Sequence, residues 1–226
     1  MPELPEVEVV KRSLNNKAQN SIIKSIKIND GRLRYKIDKN QIKNIIGLRL
    51  QKILRRSKFL LFFFSKGIVM LIHLGMTGKL FFINKKNTKY KTSFYYDLNE
   101  EKDNKHDRVI FSLSQGQKIV YNDVRKFGFI KFSNKINLYQ NFHLKNLGPE
   151  PLNKKFNFIY FKKFIFDRNR MIKDLLMDQK FVSGLGNIYV NEILFFGGVK
   201  PTKNIQNLLD SEIKKIIKFT KIILSR

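Results

Sequence analysis

The chain has 226 residues, of which 42% are hydrophobic and none is cysteine, so it is long enough for one large or two modest globular domains and has no disulfide or thiolate zinc site. It contains no apolar run of ~18 residues and no basic-then-apolar leader, so we expect a cytoplasmic protein without a membrane-spanning segment. Its formal net charge of +27, from 45 Lys and Arg against 18 Asp and Glu, indicates a polyanionic partner, with nucleic acid favoured over an anionic membrane surface.

The first 134 residues predict one helix followed by many strands. Val7, Val10 and Leu14 recur at helical spacing and predict a short amphipathic helix near the N-terminus. From Ser21 to Ile28 the sequence alternates, which predicts a strand with Ile22, Lys24, Ile26 and Ile28 on one face. The other predicted strands are Leu48 to Leu54, Lys58 to Phe64, Ile68 to His73, Lys79 to Ile83, Ser93 to Leu98, Val109 to Leu113, Lys118 to Tyr121 and Phe127 to Phe132. Short strands joined by brief turns predict an antiparallel sandwich or barrel.

Beyond this region the pattern changes. Residues 135–152 have weak periodicity and end in LGPEPL, which predicts a linker. After it the hydrophobic period becomes about 3.6. The predicted helices are Phe156 to Phe166, Arg170 to Met177, Asn187 to Phe195 and Leu208 to Leu224, the last with Ile213, Ile216, Ile217 and Phe219 facing a core. We therefore predict an α+β multidomain protein with a β domain over 1–134, either a sandwich or a barrel, a linker over 135–152 and a helical domain over 153–226.

The N-terminus is the first candidate for chemistry. Removal of Met1 would leave Pro2 with a free secondary amine, which can attack an electrophilic carbon and form an iminium. An α-amino group titrates near ~8, against ~10.4 for lysine, so much more of it is unprotonated at neutral pH. Glu3 and Glu6 place two carboxylates close by in sequence. The alternative is that Pro2 and Pro5 only stiffen the segment before a helix.

Two further segments stand out before residue 80. RRSKFL places Lys58 where a basic cluster turns into an apolar strand, although such a cluster taken alone is more often a solvated basic edge. HLGMTG has two glycines that permit a tight turn, which would project Met76 outward. An isolated Met is more often a core residue, and His73 fits an ordinary histidine at the end of a strand.

Two more segments follow later in the chain. DVRKFG carries Arg125 and Phe127 two residues apart, so an extended chain would place a guanidinium and an apolar wedge on the same side. The alternative is a loop Phe folded back onto the core. SGLGNIY places glycines before a helix, where backbone amides bind phosphate and Asn187 could cap the helix and donate to an oxygen. Simple capping is the ordinary explanation.

In order and spacing, the motifs PELPEVE, RRSK, IHLGMTG, KHDRV, DVRKFG, LGPEPL and SGLGNIYVNE resemble those of the bacterial formamidopyrimidine-DNA glycosylases. The resemblance covers nearly the whole chain. Leu4, where the related endonuclease VIII enzymes usually have Gly, favours the oxidised-purine branch. The resemblance implies an N-terminal β-sandwich, a helix-two-turn-helix domain and, normally, a C-terminal zinc finger.

The resemblance implies a bifunctional DNA-repair glycosylase and abasic-site lyase that excises 8-oxoguanine and formamidopyrimidines through a Schiff base, with β,δ-elimination. Pro2 would be the nucleophile, Glu3 the acid/base group on the deoxyribose, Glu6 a supporting residue, and Lys58 a catalytic lysine that neutralises phosphate. The residues implied to contact DNA are His73, Met76, Arg125, Lys126, Phe127 and Asn187. Of these, Met76, Arg125 and Phe127 would fill the gap left by the flipped base, with Arg125 facing the orphaned cytosine.

Two departures from the family pattern stand out. Val124-Arg125-Lys126 replaces the common Pro-Arg-Arg, which exchanges a bidentate donor for a point charge. The chain has no cysteine, so the family's four-Cys zinc finger is absent from it, and either a shortened gene or a truncated product would account for this. We expect no cofactor or metal, damaged double-stranded DNA as the partner, and a monomer. The alternative function is a lyase-only or non-catalytic basic DNA-binding protein of the same fold.

Overall fold

A computed structural model describes residues 2–93 and 104–225 of the chain. The chain divides into two compact units, Met1–Asn141 and Phe142–Arg226. The predicted linker, 135–152, contains this division. Among the residues described, no helix has the length and apolar character needed to cross a membrane.

The first unit begins with helix α1, Leu4–Ala18. Glu3 is its N-cap and Pro5 lies in its first turn, where the missing N–H of proline breaks no helical hydrogen bond. Val7, Val10 and Leu14 are buried in the core, as their spacing predicts. The helix packs mainly against the second strand, and this packing fixes the position of the N-terminus relative to the sheets.

Two antiparallel sheets make up the rest of this unit, together with the short helix α2, Lys39–Lys43. The strands are β1 Ile23–Ile28, β2 Leu50–Arg56, β3 Phe59–Phe64, β4 Ile68–His73, β5 Gly78–Ile83, β6 Lys89–Lys91, β7 Asp107–Leu113, β8 Lys118–Asp123 and β9 Phe129–Asn134. One sheet has the order β1-β7-β8-β5-β6 and the other β2-β3-β4-β9. Apolar side chains from both sheets form one core with α1, so the prediction of an antiparallel β-sandwich preceded by a helix is confirmed.

One detail of the strand prediction is wrong, and one predicted strand lies almost entirely outside the described residues. In β1 the register shifts between Ile23 and Ser25, so Ile23 rather than Ile22 is the buried residue at the strand's start. Such a bulge moves the inward-facing position by one residue, which strict alternation does not anticipate. Among the described residues between 85 and 105 the structure has the strand β6, which the sequence did not predict, and of the predicted strand Ser93 to Leu98 the residues 94–98 lie outside the described part of the chain.

The second unit is helical. Its helices are α3 Phe158–Ile165, α4 Ile172–Met177, α5 Asn187–Gly197 and α6 Asp210–Leu224. The four predicted helices are therefore confirmed, although α4 begins two residues after the predicted Arg170. In α6, Ile213 and Ile216 are fully buried, while Ile217 and Phe219 pack partly buried against the same core.

Candidate active site

The start of α1 places two carboxylates beside Pro2. The backbone N–H of Glu3 donates to Oε2 of Glu6 at 2.8 Å, which closes the first turn of the helix. The Glu3 side chain is only 3% exposed and that of Glu6 9%, an unusual location for carboxylates. Pro2 itself is half-buried. Pro2 therefore directly precedes an ordered helix start that carries two nearly buried acidic side chains.

Lys58 lies in the tight turn between β2 and β3. Its neighbour Ser57 has a φ of 56°, the left-handed conformation that such turns require. Arg55 fixes the turn: its Nη1 donates to the Ser57 carbonyl at 3.0 Å, and its Nε lies 2.9 Å from Oε2 of Glu8 on α1. Through this pair, α1 and the turn are tied together, and Lys58 is only 6% exposed.

The electrostatics of Lys58 place it in one cluster with the two carboxylates. Burial lowers the pKa of Lys58, because removal from water disfavours the charged ammonium. The charges of Glu3 and Glu6 act in the opposite direction and raise its pKa. A desolvated lysine facing two buried carboxylates is typical of a functional site rather than of a solvated basic edge.

Strand register brings this cluster to the same sheet end as two loops. Phe59, the residue after Lys58, pairs with His73 at the end of β4, and His73 pairs with Phe129 at the start of β9. The segments 74–78 and 123–128, which we call the paired loops, therefore adjoin the end of the four-stranded sheet where Lys58 lies. Each paired loop crosses from one sheet to the other, since β5 and β8 belong to the five-stranded sheet.

Glycines allow the paired loops to touch backbone to backbone. A Cβ atom on Gly75 would come within 2.4 Å of the carbonyl carbon of Phe127. A Cβ atom on Gly128 would come within 1.9 Å of Oη of Tyr121 and 2.6 Å of the His73 carbonyl oxygen. Real Cβ atoms do not approach so closely, so the glycines of both loops are required by packing.

The fully buried carboxylate of Asp123 joins the paired loops. Its Oδ1 accepts the Thr77 hydroxyl at 2.6 Å, and its Oδ2 accepts the Gly128 N–H at 2.9 Å and the Tyr121 hydroxyl at 3.2 Å. Thr77 in turn accepts the backbone N–H of Arg125 at 3.0 Å. A buried charge with three donors defines the relative position of both loops.

The tips of the paired loops are exposed. Met76 and Phe127 are each 44% exposed, so neither is a core residue. The Arg125 guanidinium carbon lies 4.5 Å from the centre of the Phe127 ring, a cation–π stack that keeps the two side chains together. The loop is not extended as predicted, because Lys126 has a φ of 59°. A left-handed turn at Lys126 therefore brings Arg125 and Phe127 together.

These tips surround a cavity of about 580 Å³. His73, Gly75, Met76, Arg125, Lys126 and Phe127 line it together with Arg34. The half-buried His73 ring stacks on Phe129 at 5.4 Å, and its Nδ1 accepts the Gly75 N–H at 3.1 Å. In neutral imidazole this leaves the proton on Nε2.

Sequence reasoning missed several residues of this region. Arg34 lines the cavity and its N–H donates to the Gly128 carbonyl at 3.1 Å. Asp30 lies 2.7 Å from the ammonium of Lys126, and Thr77 and Asp123 organise the loops. KHDRV and DVRKFG contain Arg108 and Asp123, so the motifs were visible, but the partners that join them to other loops lie far away in the chain: Asp30 is 78 residues from Arg108, and Thr77 is 46 residues from Asp123.

In the second unit, the prediction that Asn187 caps a helix is wrong. Gly186 is the N-cap of α5, and Asn187 is the first helical residue, with an exposed side chain. The preceding loop is held by Gln179, whose amide accepts the Gly184 N–H at 2.8 Å and donates to the Leu185 carbonyl at 2.8 Å. Asn187 therefore stands on a rigid helix start and is available for contacts outside the protein.

No group of three or more His, Cys, Asp or Glu side chains that could hold a metal ion occurs within 2–93 and 104–225. The chemistry available in the first unit is that of a proline at position 2, buried carboxylates, a desolvated lysine and a cationic cavity with apolar tips.

Comparisons with known proteins give the same relatives for both units. Residues 1–130 match the family model described as Formamidopyrimidine-DNA glycosylase N-terminal domain, and 147–226 match the Formamidopyrimidine-DNA glycosylase H2TH domain. Formamidopyrimidine-DNA glycosylases of Rickettsia felis and Rickettsia bellii are each 36% identical over 226 residues, covering 100% of this chain and 76% and 77% of theirs.

Solved structures agree with these sequence matches. A complex between the Lactococcus lactis Fpg and DNA containing an abasic site has a TM-score of 0.84 at 29% identity, covering 99% of this chain and 78% of that chain. A complex of the wild-type Lactococcus lactis Fpg with DNA containing N7-benzyl-Fapy-dG has a TM-score of 0.85 at 30% identity, with the same coverage.

Proposed function

The chain belongs to the formamidopyrimidine-DNA glycosylase family of DNA-repair enzymes, and from this premise we propose that it is a bifunctional glycosylase and abasic-site lyase for oxidised purines. The proposed substrates are 8-oxoguanine and formamidopyrimidines in double-stranded DNA. The observation that carries the proposal is the buried cluster at the start of α1, where the charges of Glu3 and Glu6, the residues of the helix start that Pro2 precedes, act on Lys58.

In the proposed mechanism, Pro2 is the nucleophile once Met1 has been removed. Its amine attacks C1′ of the flipped nucleoside and loses its N–H proton, while the C1′–N bond to the damaged base breaks and the base leaves with a proton. The C1′–O4′ bond then breaks as O4′ takes up a proton, which opens the sugar ring and leaves an iminium between Pro2 and C1′. The iminium acidifies the neighbouring C2′–H, and loss of that proton drives β-elimination of the 3′ phosphate, followed by δ-elimination of the 5′ phosphate.

Glu3 and Lys58 act on the same sugar. Glu3 gives a proton during sugar ring opening and takes one during elimination, and its nearly complete burial keeps this exchange away from bulk water. Lys58 neutralises a phosphate next to the damaged nucleotide, since a desolvated ammonium interacts strongly with an anion that enters its site. Glu6 supports both residues by closing the helix turn that carries Glu3.

The paired loops keep the damaged nucleotide out of the helix. Met76 and Phe127 present apolar side chains that enter the base stack, and Arg125, stacked on Phe127, contacts the base left without a partner. His73, Lys126 and Asn187 bind the DNA backbone, which positions the duplex without reading its sequence. The formal charge of +27 supplies the non-specific attraction to phosphate.

Borohydride trapping on duplex DNA with an abasic site tests the proposal. We expect a covalent adduct whose peptide maps to Pro2, and loss of that adduct in a variant that retains Met1, as verified by intact mass. Lys52→Met is the control variant: it removes an exposed lysine from strand β2, which packs beside α1, and leaves the N-terminus unchanged. It should therefore still form the adduct. No adduct with the processed protein, or an adduct that maps to a lysine, would refute Pro2 as the nucleophile.

A second substrate separates base excision from lyase activity. On 8-oxoguanine opposite cytosine, we expect base release followed by strand cleavage. An abasic site requires no base recognition, so trapping on the abasic duplex without release of 8-oxoguanine would contradict the glycosylase half of the proposal and leave a lyase.

A further inference from the structure

Asp30, which follows β1, holds three cations at the edge of the cavity. Its Oδ1 accepts the backbone N–H and the Nε of Arg32, each at 3.0 Å. Its Oδ2 lies 2.7 Å from Nζ of Lys126 and 3.5 Å from Nη1 of Arg108. One carboxylate therefore connects three separate parts of the chain.

Arg108 and Lys126 connect Asp30 to the second of the paired loops. The Arg108 guanidinium, whose side chain is only 7% exposed, donates to the carbonyl oxygens of Asp123 at 2.8 Å and Val124 at 3.3 Å. The Lys126 ion pair reaches the middle of the same loop. Asp30 thus contacts Lys126 at the left-handed turn of the loop directly, and it is linked to Asp123 and Val124 at the start of the loop through Arg108.

That left-handed turn needs support. At Lys126 the φ is 59°, a conformation that is unfavourable for a residue with a side chain. Arg125 and Phe127 flank this residue, so their stacked arrangement depends on the turn. An ion pair between Lys126 and a fixed carboxylate stabilises the turn and, through it, the pair of exposed side chains.

The sign of the charge argues for positioning rather than for binding. A carboxylate next to a cavity lined by Arg34, Arg125 and Lys126 repels phosphate and weakens binding to any DNA. Such a group is useful only if it improves discrimination. Resting on the function proposed above, we propose that Asp30 is a positioning residue that holds the loop 123–128 so that Arg125 and Phe127 distinguish a damaged duplex from an undamaged one.

The experiment compares the wild-type protein with Asp30→Asn, Asp30→Glu and the matched control Asp38→Asn. Asp38 is exposed and caps α2 through the N–H groups of Asn40 and Gln41, a task that Asn performs equally well. Both Asn variants therefore remove one negative charge from the same unit. The dissociation constants are measured for an undamaged duplex and for the same duplex with a tetrahydrofuran abasic-site analogue, and amide hydrogen exchange is followed across 124–128.

In Asp30→Asn we expect faster exchange across 124–128 and a two- to fivefold lower preference for the abasic duplex, the range of a partly exposed ion pair. Asp38→Asn leaves both values unchanged, and Asp30→Glu, which keeps the carboxylate, retains most of the preference. Equal tightening on both duplexes with unchanged exchange would overturn the proposal, because loss of a charge alone acts on all DNA.

The two proposals fail in different ways. If the wild-type protein shows no preference for the abasic duplex and no trapped adduct, the proposed function is wrong, and the exchange data still decide whether Asp30 holds the loop. If exchange rises in Asp30→Asn but the preference is unchanged, Asp30 orders the loop without affecting discrimination, which overturns the inference.

Discussion

Replacement of Asp123 by Asn tests whether one buried carboxylate holds the paired loops together. Asp123 is 0% exposed and accepts hydrogen bonds from Thr77, Gly128 and Tyr121. Asn fits the same space but turns one acceptor oxygen into an NH₂ donor. If the Asn oxygen takes the position that accepts hydrogen bonds from the Gly128 N–H and the Tyr121 hydroxyl, the NH₂ group faces Thr77. The hydroxyl proton of Thr77 then loses its acceptor.

The expected cost follows from that single lost bond. A hydrogen bond to a charged group contributes about 1.5–3 kcal/mol, and relief of the carboxylate's desolvation offsets part of the loss in the remaining bonds. We therefore expect destabilisation by about 2 kcal/mol. For a chain of this size that corresponds to a fall in Tm of about 4–8 °C.

Urea unfolding followed by far-UV circular dichroism measures this free energy, since the chain has no tryptophan for fluorescence. The cycle of Asp123→Asn, Thr77→Val and the double variant isolates the Thr77 contribution. We expect a coupling free energy of about 1 kcal/mol or more, while Asp38→Asn, which removes an exposed charge, stays close to wild type. Additive effects, or an Asp123→Asn cost below about 0.5 kcal/mol, would refute the assignment of Asp123 as the connector of the loops.

Two further predictions concern Lys58 and the close contact between the loops. Burial lowers the pKa of Lys58, so the folded state releases the lysine proton at a lower pH than the unfolded chain does. The stability of the wild type relative to Lys58→Met therefore rises with pH, from the lowered pKa of the folded state up to the unfolded value of ~10.4. At pH ~7, where the lysine is charged in the unfolded chain, Lys58→Met should therefore be no less stable than wild type, while it loses lyase activity. A marked drop in the Tm of Lys58→Met at neutral pH would show that the lysine contributes to stability instead. Gly75→Ala should destabilise the protein by about 2 kcal/mol more than Gly47→Ala. Both glycines have a positive φ, but only at Gly75 would a Cβ atom meet backbone, 2.4 Å from the carbonyl carbon of Phe127. Equal urea midpoints for the two variants would contradict the backbone contact between the loops.

Local sequence patterns predicted much of the fold. Helical spacing of Val7, Val10 and Leu14, two-residue alternation, and a change of period after LGPEPL were enough to predict a β domain, as a sandwich or a barrel, and the helical unit, because burial of one face imposes its period on the sequence. They failed at the bulge after Ile23, where the chain departs from regular geometry, and they missed the three-residue strand Lys89–Lys91.

By itself the sequence determined the residue types that could do the chemistry, since Pro2, Glu3, Lys58, Met76, Arg125 and Phe127 stand in motifs that resemble those of a known family. Only the tertiary structure decided how they are assembled. Strand register places Lys58 and the paired loops at one sheet end, and α1 packing places the two carboxylates against Lys58. Asp30 and Asp123 became visible as organising residues only there, because an ion pair or a buried hydrogen bond depends on distance in space, and their partners are up to 96 residues away along the chain.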